Sequence, residues 1–221
     1  MVRLHLNLTV KKSFHPTKKG TDDVQLARFE YWHLIRLIPA QELIFLDESG
    51  INLALVRECA RSEKGNRAYG ARPIRAKNVS VVAAISLKDG LLAQWSMLGY
   101  MDALTFDAFI SQRLVPKLWK GTVVLMDNCS IYKSDEIEAL ITDAGATLIY
   151  LPTYSPDFSP IENCWSKIKS ILRTIAARSY PDLLKTLEEA FAKVTQEDLL
   201  GWFTHCGYCT QEDWETLLQK A

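Results

Sequence analysis

Three acidic residues occupy positions from which they could bind metal ions. Asp47 follows the apolar run "LIFL", and Asp127 follows "TVVLM" in the same way, while Glu162 opens a segment of helical periodicity in "SPIENCW". Two aspartates from neighbouring strand ends and a glutamate from a following helix can converge on hard divalent cations such as Mg²⁺, which prefer oxygen ligands and retain water and substrate phosphates. Two such ions clamp the attacking and leaving oxygens of an in-line phosphoryl displacement.

Each of these acids also has a purely structural interpretation. Asp before Ser-Gly, or before Asn, is common turn chemistry. Ser159 and Glu162 match the capping box S-x-x-E, in which the glutamate returns to the cap amide and Pro160 occupies the first helical position.

The helix that follows Glu162 favours a functional interpretation. Its apolar stripe is bordered by a polar line, and this line begins with the carboxylate and continues with cations one and two turns later. Such an edge suits a phosphate-bearing ligand. The stripe is Ile161, Trp165, Ile168, Leu172 and Ile175; the line is Glu162, Ser166, Lys169 and Arg173.

The elements that must position these acids alternate between strands and helices. A helix is predicted from Asp22 to before Pro39, a buried strand ending at Asp47, a hairpin turning at Asp89-Gly90 and a second buried strand ending at Asp127. The remaining predicted elements are a helix in "DALTFDAFISQRLVPKLW" with Thr105 as a possible cap, a helix in "SDEIEALITDAG", a strand at "TLIYL", helices over about 160–177 and 181–194, and one or two more to the end. This order predicts an α/β fold, a mixed sheet with helices on both faces. Reactive groups in such sheets gather at the carboxyl ends of central strands.

Composition bounds the class of protein. The 221 residues are 48% hydrophobic and 24% charged, which is typical of a globular domain with a sizeable core. No apolar run reaches the roughly 20 residues that a membrane helix needs, and the N-terminus is a poor signal peptide, so a cytoplasmic protein is expected.

Charge is unevenly distributed although the net charge is zero. Residues 57–77 carry seven basic side chains against two acidic ones, and the first nineteen residues carry five against none. This asymmetry predicts a surface that faces polyanions, the alternative being ordinary solvated loops.

The five cysteines predict reduced thiols, because an odd number is scattered through a chain without an export signal. Cys206 and Cys209 form C-x-x-C beside His205, which admits a metal or redox role. A second ligand pair at suitable spacing is missing from the sequence, so two small residues in a turn at a helix end are the competing interpretation.

Three blocks carry a resemblance to a known family. "FLDESG", "LMDNCSIYKS" and "LPTYSPDFSPIENCWSKIK" resemble the catalytic blocks of the mariner superfamily, most closely its bacterial insertion-sequence transposases, and the 34 residues between Asp127 and Glu162 match the spacing of that branch. The resemblance runs from about Leu43 to Tyr208 and includes "WFTHCGY". It implies an RNase H-like fold with extra C-terminal helices and a D-D-E triad formed by Asp47, Asp127 and Glu162. Two Mg²⁺ or Mn²⁺ ions would serve hydrolysis at the transposon ends and transfer of the freed 3′ hydroxyl into target DNA, typically at TA.

The resemblance also implies a nucleoid-associated location and partners. These are double-stranded DNA, as terminal inverted repeats and as target, and a second copy of the chain on that DNA. The candidate DNA contacts are Arg67, Arg72, Arg75, Asn128, Lys169 and Arg173. Tyr132 departs from the family, which commonly has histidine at that position, and tyrosine acts less readily than histidine as a base at neutral pH.

The N-terminal region departs from the family as well. Residues 1–40 are expected to be a basic arm and connecting helix, the end of a missing helix-turn-helix region, and residues 41–221 the catalytic domain. The chain is therefore expected to be a separately encoded catalytic half, a fragment or a degenerate copy. If the chain is a separately encoded catalytic half, a separately encoded helix-turn-helix subunit would complete it. The alternative function is that of a catalytically silent remnant that binds DNA or intact transposase.

Overall fold

The centre of the molecule is one mixed β-sheet. A computed structural model describes residues 17–57, 61–71, 76–129 and 133–210, with side chains from residue 19 onward. The described strands are β1 (Leu43–Ile51), β2 (Val79–Ser86), β3 (Gly90–Leu98), β4 (Val123–Met126) and β5 (Thr147–Tyr150). They lie in the order β3-β2-β1-β4-β5. β1, β2 and β3 are antiparallel, whereas β4 pairs parallel with both β1 and β5.

Helices cover both faces of the sheet. Those described are α1 (Asp22–Ile35), α2 (Ala103–Phe109), α3 (Asp135–Asp143), α4 (Pro160–Ile175), α5 (Tyr180–Phe191) and α6 (Gln196–His205). Side chains of α1, α4, α5 and α6 share one hydrophobic core with one face of the sheet, and those of α2 and α3 share a second core with the other face. The predicted α/β arrangement with two covered faces is confirmed.

Strand alternation decides which side chains face α4. Leu43 and Phe45 of β1 belong to the core that contains α4, whereas Ile44 and Leu46 belong to the opposite core. β4 alternates in the same phase, with Leu125 on the α4 side. Since successive side chains of a strand point to opposite faces, the next odd-numbered residues of these strands point towards α4.

The structure corrects the predicted end of β1. β1 does not end at Asp47, because its antiparallel pairing with β2 continues to Ile51 opposite Val79. Only its parallel pairing with β4 stops, at Leu46 opposite Met126.

The segment predicted as one helix over residues 102–119 is divided. Asp102, not Thr105, caps it, accepting a hydrogen bond from the Thr105 N–H. α2 gives way to a π-helical turn over Ile110–Leu114 and a 3₁₀ turn over Val115–Lys117. Pro116 in this last turn lacks an N–H and its ring clashes with the carbonyl four residues earlier, so a regular helix cannot continue.

Other predicted elements match closely. The hairpin turns where predicted, with Gly90 at φ 76°, and α4 ends at Ala176, which adopts a left-handed conformation at φ 53°. Ile175 is 46% exposed and does not join the buried stripe of α4. None of the helices that the structure describes is both long and apolar enough to cross a membrane.

Candidate active site

Two aspartates lie side by side at the edge where β1 and β4 part. The register pairs Leu46 with Met126, so Asp47 and Asp127 are the next residues of two parallel neighbours. Both occupy the odd-numbered phase of their strands, on the face that α4 covers. The register therefore places the two predicted carboxylates at one edge of the sheet.

Glu162 lies in the first turn of α4, above the same edge. The predicted capping box is wrong, because the Ser159 side chain makes no cap hydrogen bond. The Ser159 N–H is already used, since it donates to the carbonyl of Pro156 at 3.1 Å in the preceding 3₁₀ turn. The Glu162 carboxylate is therefore not needed as a cap and is available to serve the cleft.

All three acids line one cleft of about 470 Å³. Its floor is the strand edge, and its wall is the segment between β5 and α4, residues 151–159. Asn128 and Cys129 also line it, as do Tyr154, Ser155 and Ser159. Tyr154 has a φ of 58°, a conformation that is strained for a residue with a bulky side chain.

Asp47 is the most perturbed of the acids. Burial raises its pKa from an ordinary 3.8 to about 7, and the negative charges of Glu162 and Asp127 add to the increase. Hydrogen bonds from the Glu48 backbone and from Trp165 oppose it. The Trp165 Nε1–H donates to Asp47 Oδ2 at 3.0 Å, so α4 both supplies Glu162 and holds the facing carboxylate.

Asp127 is perturbed in the same direction. Partial burial raises its pKa, and a hydrogen bond from the Cys129 backbone opposes the increase. Crowded carboxylates with raised pKa values are typical of sites that use them chemically or that bind cations.

The three carboxylates of the cleft offer the oxygen ligands that hard divalent cations prefer, although their side chains are not arranged as three ligands of one ion. Among the described residues, no three His, Cys, Asp or Glu side chains are arranged to hold a single ion. A two-ion site needs fewer protein ligands for each ion, because Mg²⁺ is usually held by one or two carboxylates together with water and substrate phosphates. Three carboxylates in one cleft, with Asp47 destabilised by the other two, meet that requirement.

A family model described as "DDE superfamily endonuclease" matches residues 42–184, which include all three acids. The chain belongs to this family. No curated protein sequence matches this endonuclease.

Solved structures share its fold. The Mos1 mariner paired end complex with Mn aligns with a TM-score of 0.75 at 17% identity, covering 97% of this endonuclease and 67% of that chain. The Mos1 transposase paired-end complex with left transposon end aligns at 0.67 and 18%, covering 97% and 66%. The catalytic domain of Mos1 mariner transposase aligns at 0.52 and 15%, covering 90% and 92%. This endonuclease thus spans about two thirds of the longer Mos1 chains and has the RNase H-like fold expected from its sequence.

The predicted DNA contacts that the structure describes are distributed over three regions. Asn128 lines the cleft beside Asp127. Lys169 and Arg173 lie on the exposed side of α4, and Arg67 is exposed in the 61–71 segment, which contains neither helix nor strand. Arg72, Arg75 and Tyr132 lie outside the described residues.

A basic groove at the far end of α4 was not predicted. It is a cavity of about 540 Å³ that Arg57, Arg173 and Arg178 line together. Arg57 donates to Thr174 Oγ1 at 3.0 Å and Arg178 to the Ala71 carbonyl at 3.1 Å. None of the three forms an ion pair within the described part of the chain. Two sequence signals point to this region, the excess of cations in 57–77 and the predicted contact Arg173, but neither indicates a groove or includes Arg178.

The C-x-x-C pair belongs to the protein interior. Cys206 and Cys209 are both buried, at 5% and 7% exposure. Burial raises the pKa of the Cys206 thiol to about 12, and the charge of Asp157 adds to this effect. Buried thiols that stay protonated are poor nucleophiles and poor metal ligands, which favours the structural interpretation.

Proposed function

We propose that this chain is the catalytic part of a transposase, which hydrolyses phosphodiester bonds at transposon ends and joins the freed 3′ hydroxyl to target DNA. The observation that supports the proposal is the convergence of Asp47, Asp127 and Glu162, from three separate sequence blocks, on one cleft. Matched structures include a Mos1 complex with a transposon end and a Mos1 strand transfer complex. Choice of TA as target follows from the resemblance of the sequence blocks.

The three acids would hold two Mg²⁺ or Mn²⁺ ions, which supply positive charge to the attacking and leaving oxygens when bound. Matched structures include Mos1 mariner paired end complexes with Mn and with Mg. Asp47, whose pKa is raised by the charges of both other acids, would contribute its carboxylate to holding these ions. In hydrolysis a water oxygen bonds to phosphorus, the bond to the 3′ oxygen breaks and the 3′ oxygen takes a proton. In strand transfer that 3′ oxygen displaces an oxygen of the target strand in the same way.

The basic groove gives the DNA backbone a second point of attachment. Arg173 follows Glu162 by eleven residues along α4, which is about 16 Å at 1.5 Å per residue. Lys169 lies between them on the exposed side of the same helix. A strand that enters the cleft can therefore continue along α4 and place a phosphate between Arg57, Arg173 and Arg178.

Partners follow from the same proposal. Joining two transposon ends requires two active sites, so a homodimer is expected on DNA. Sequence-specific recognition of the ends would come from a helix-turn-helix region, encoded with this chain or separately.

The first test is metal-dependent DNA cleavage. The chain, with a helix-turn-helix partner where the neighbouring DNA encodes one, is incubated with DNA carrying the inverted repeats that flank its gene. Nicking and joining should require Mg²⁺ or Mn²⁺ and should be abolished in Glu162→Gln. Glu197→Gln is the matched control, because Glu197 is also an exposed first-turn glutamate, in α6.

The result separates the transposase from its alternative. Cleavage that survives in Glu162→Gln contradicts the proposed role of the triad. Salt-dependent DNA binding without cleavage under any metal condition identifies the chain as a silent, DNA-binding remnant.

A further inference from the structure

Arg28 of α1 holds the segment that leads into α4. Its guanidinium makes a two-pronged ion pair with Asp157, with Nη2 donating to Oδ2 at 2.7 Å and Nη1 to Oδ1 at 3.2 Å. Nη1 also donates to Ser155 Oγ at 2.6 Å. Lys19 adds a second cation to Asp157 Oδ1 at 2.9 Å. We call these four residues the clasp.

The clasp is centred on an ionised Asp157. Partial burial raises the pKa of Asp157, but the hydrogen bonds from Arg28 and Lys19 outweigh it and hold that pKa at about 2. The Arg28 side chain is 14% exposed. The Asp157 side chain is 45% exposed, so the pair is only partly shielded from water. The two hydrogen bonds of the arginine fork still make this contact more directional than an ion pair with a single hydrogen bond.

An aromatic cluster fixes the same segment from behind. The Arg28 guanidinium lies 3.9 Å from the centre of the Phe158 ring, which stacks on Tyr31 of α1. Tyr208 donates its hydroxyl proton to the Phe158 carbonyl at 2.6 Å, and the Tyr31 hydroxyl in turn lies 2.6 Å from that of Tyr208. Part of the unexplained "WFTHCGY" block therefore serves this segment.

The segment so held is a wall of the active-site cleft. Ser155 accepts the Arg28 hydrogen bond and lines the cleft on its other side. Tyr154, just before it, lines the cleft in its strained conformation. Strain of this kind persists only where surrounding contacts enforce it. Ser159, at the end of the segment, begins α4 and so decides where Glu162 is placed.

We propose that Arg28 is a positioning residue for Glu162, acting through Asp157 and Ser155 to set the start of α4 for metal binding. The inference rests on the proposed function of the cleft. It assigns an active-site role to α1, which lies outside the matched family segment of residues 42–184.

The test measures Mn²⁺ binding to the full-length chain by electron paramagnetic resonance, without DNA. Arg28→Met keeps the apolar stem but loses the fork, and Asp157→Asn removes the charge that it binds. Arg28→Met should weaken Mn²⁺ affinity by about tenfold, the low end for residues that orient metal ligands from behind. Arg28→Lys should restore part of the affinity. The double variant should be no weaker than Arg28→Met, because both changes break the same contact.

Arg36→Met is the matched control, since Arg36 follows α1 and its side chain makes no hydrogen bond or ion pair among the described residues. Near-ultraviolet circular dichroism establishes that each variant is folded. If Arg28→Met does not fold, Asp157→Asn provides a milder change to the same contact. Folded variants that bind Mn²⁺ within about twofold of wild type while losing thermal stability would overturn the proposal and leave a purely structural staple. Absence of Mn²⁺ binding by the wild type would overturn the proposed function itself.

Discussion

Removing the charge of Asp47 should stabilise the protein when divalent metal is absent. In the folded chain the pKa of this carboxyl rises from 3.8 to about 7, chiefly through burial and then through the charge of Glu162. The unfolded chain therefore loses the Asp47 proton near pH 4, whereas the folded chain holds it to about pH 7. Within that window the native state binds more protons, so stability falls as pH rises, and the full cost is present above pH 7.

The size of the effect follows from the pKa change. About three pKa units correspond to about 4 kcal/mol, which is an upper bound because the cleft is open to water. Asp47→Asn should therefore be more stable than wild type at pH 8 by up to about 4 kcal/mol and nearly equal to it at pH 4. For a chain of this size that is a rise in Tm of up to about 10 °C. The amide of the substituted side chain still offers an oxygen to the Trp165 N–H, so packing is preserved.

The assay is thermal and urea unfolding of both proteins from pH 4 to pH 8 in EDTA, repeated with saturating Mg²⁺. Mg²⁺ should raise the wild-type Tm at pH 8 and leave Asp47→Asn largely unchanged, since binding to the native state alone stabilises it. Glu189→Gln neutralises an exposed acid on α5 and should change stability by less than about 0.5 kcal/mol at every pH. The predicted destabilisation by the Asp47 charge would be refuted if the wild type were as stable as Asp47→Asn at pH 8. It would also be refuted if the difference in unfolding free energy between the two proteins did not change with pH.

Three further predictions concern residues around the cleft and the core. Trp165→Phe keeps a ring in the core but loses the donor to Asp47, so Mn²⁺ affinity measured by paramagnetic resonance should fall about tenfold or more; unchanged affinity would show that Trp165 only packs. Arg57→Met and Arg178→Met should each weaken DNA binding in fluorescence anisotropy and reduce the salt slope by about 1; an unaltered slope would remove the basic groove from the DNA path. Thr195 and Asp198 form a capping box at the start of α6, in which the Thr195 side chain accepts a hydrogen bond from the Asp198 N–H. Thr195→Ala breaks this cap and should cost about 1 kcal/mol in urea unfolding with Mn²⁺ affinity intact, whereas a loss of Mn²⁺ affinity would mean that α6 communicates with the cleft.

The positions of the acids were predictable because strand periodicity and apolar runs are strong local signals. Asp47 and Asp127 each follow an uninterrupted apolar run, and such runs mark central strands. What local signals could not give is the extent of β1. Ser49-Gly50 has good turn chemistry, yet Ile51 still pairs with Val79 because the whole antiparallel partner is available in β2.

The capping box failed for a related reason. The sequence signature shows only that a serine and a glutamate lie three residues apart. It does not show whether the backbone N–H of the cap residue already donates a hydrogen bond. Here the Ser159 N–H donates to the Pro156 carbonyl, so the donor that Glu162 was expected to satisfy is occupied. Pro156 and Pro160, on either side of this short turn, were the available signal, because they favour a tight turn immediately before the helix.

Contacts between distant residues were beyond sequence patterns altogether. Trp165 matches an apolar stripe, and nothing in the stripe indicates that its N–H reaches Asp47, 118 residues earlier. Arg28 is similarly one cation on a helix of mixed apolar and polar residues until the fold brings it to Asp157. In both contacts the polar group belongs to a side chain whose apolar part packs against other residues. Hydrophobic periodicity reflects only that apolar part and does not indicate where the polar group lies.

The surroundings of Asp47 in the cleft disfavour its negative charge. Burial and two neighbouring carboxylates disfavour the anionic form of Asp47, and a protein gains nothing in stability from that arrangement. Divalent cations would reverse the sign, because they would replace the repulsions on Asp47 with attractions. The clasp and Trp165 then have a single physical purpose: they hold the acids together against a repulsion that bound metal would remove. The positive end of the α4 dipole, which lies at the first turn where Glu162 is placed, acts in the same direction.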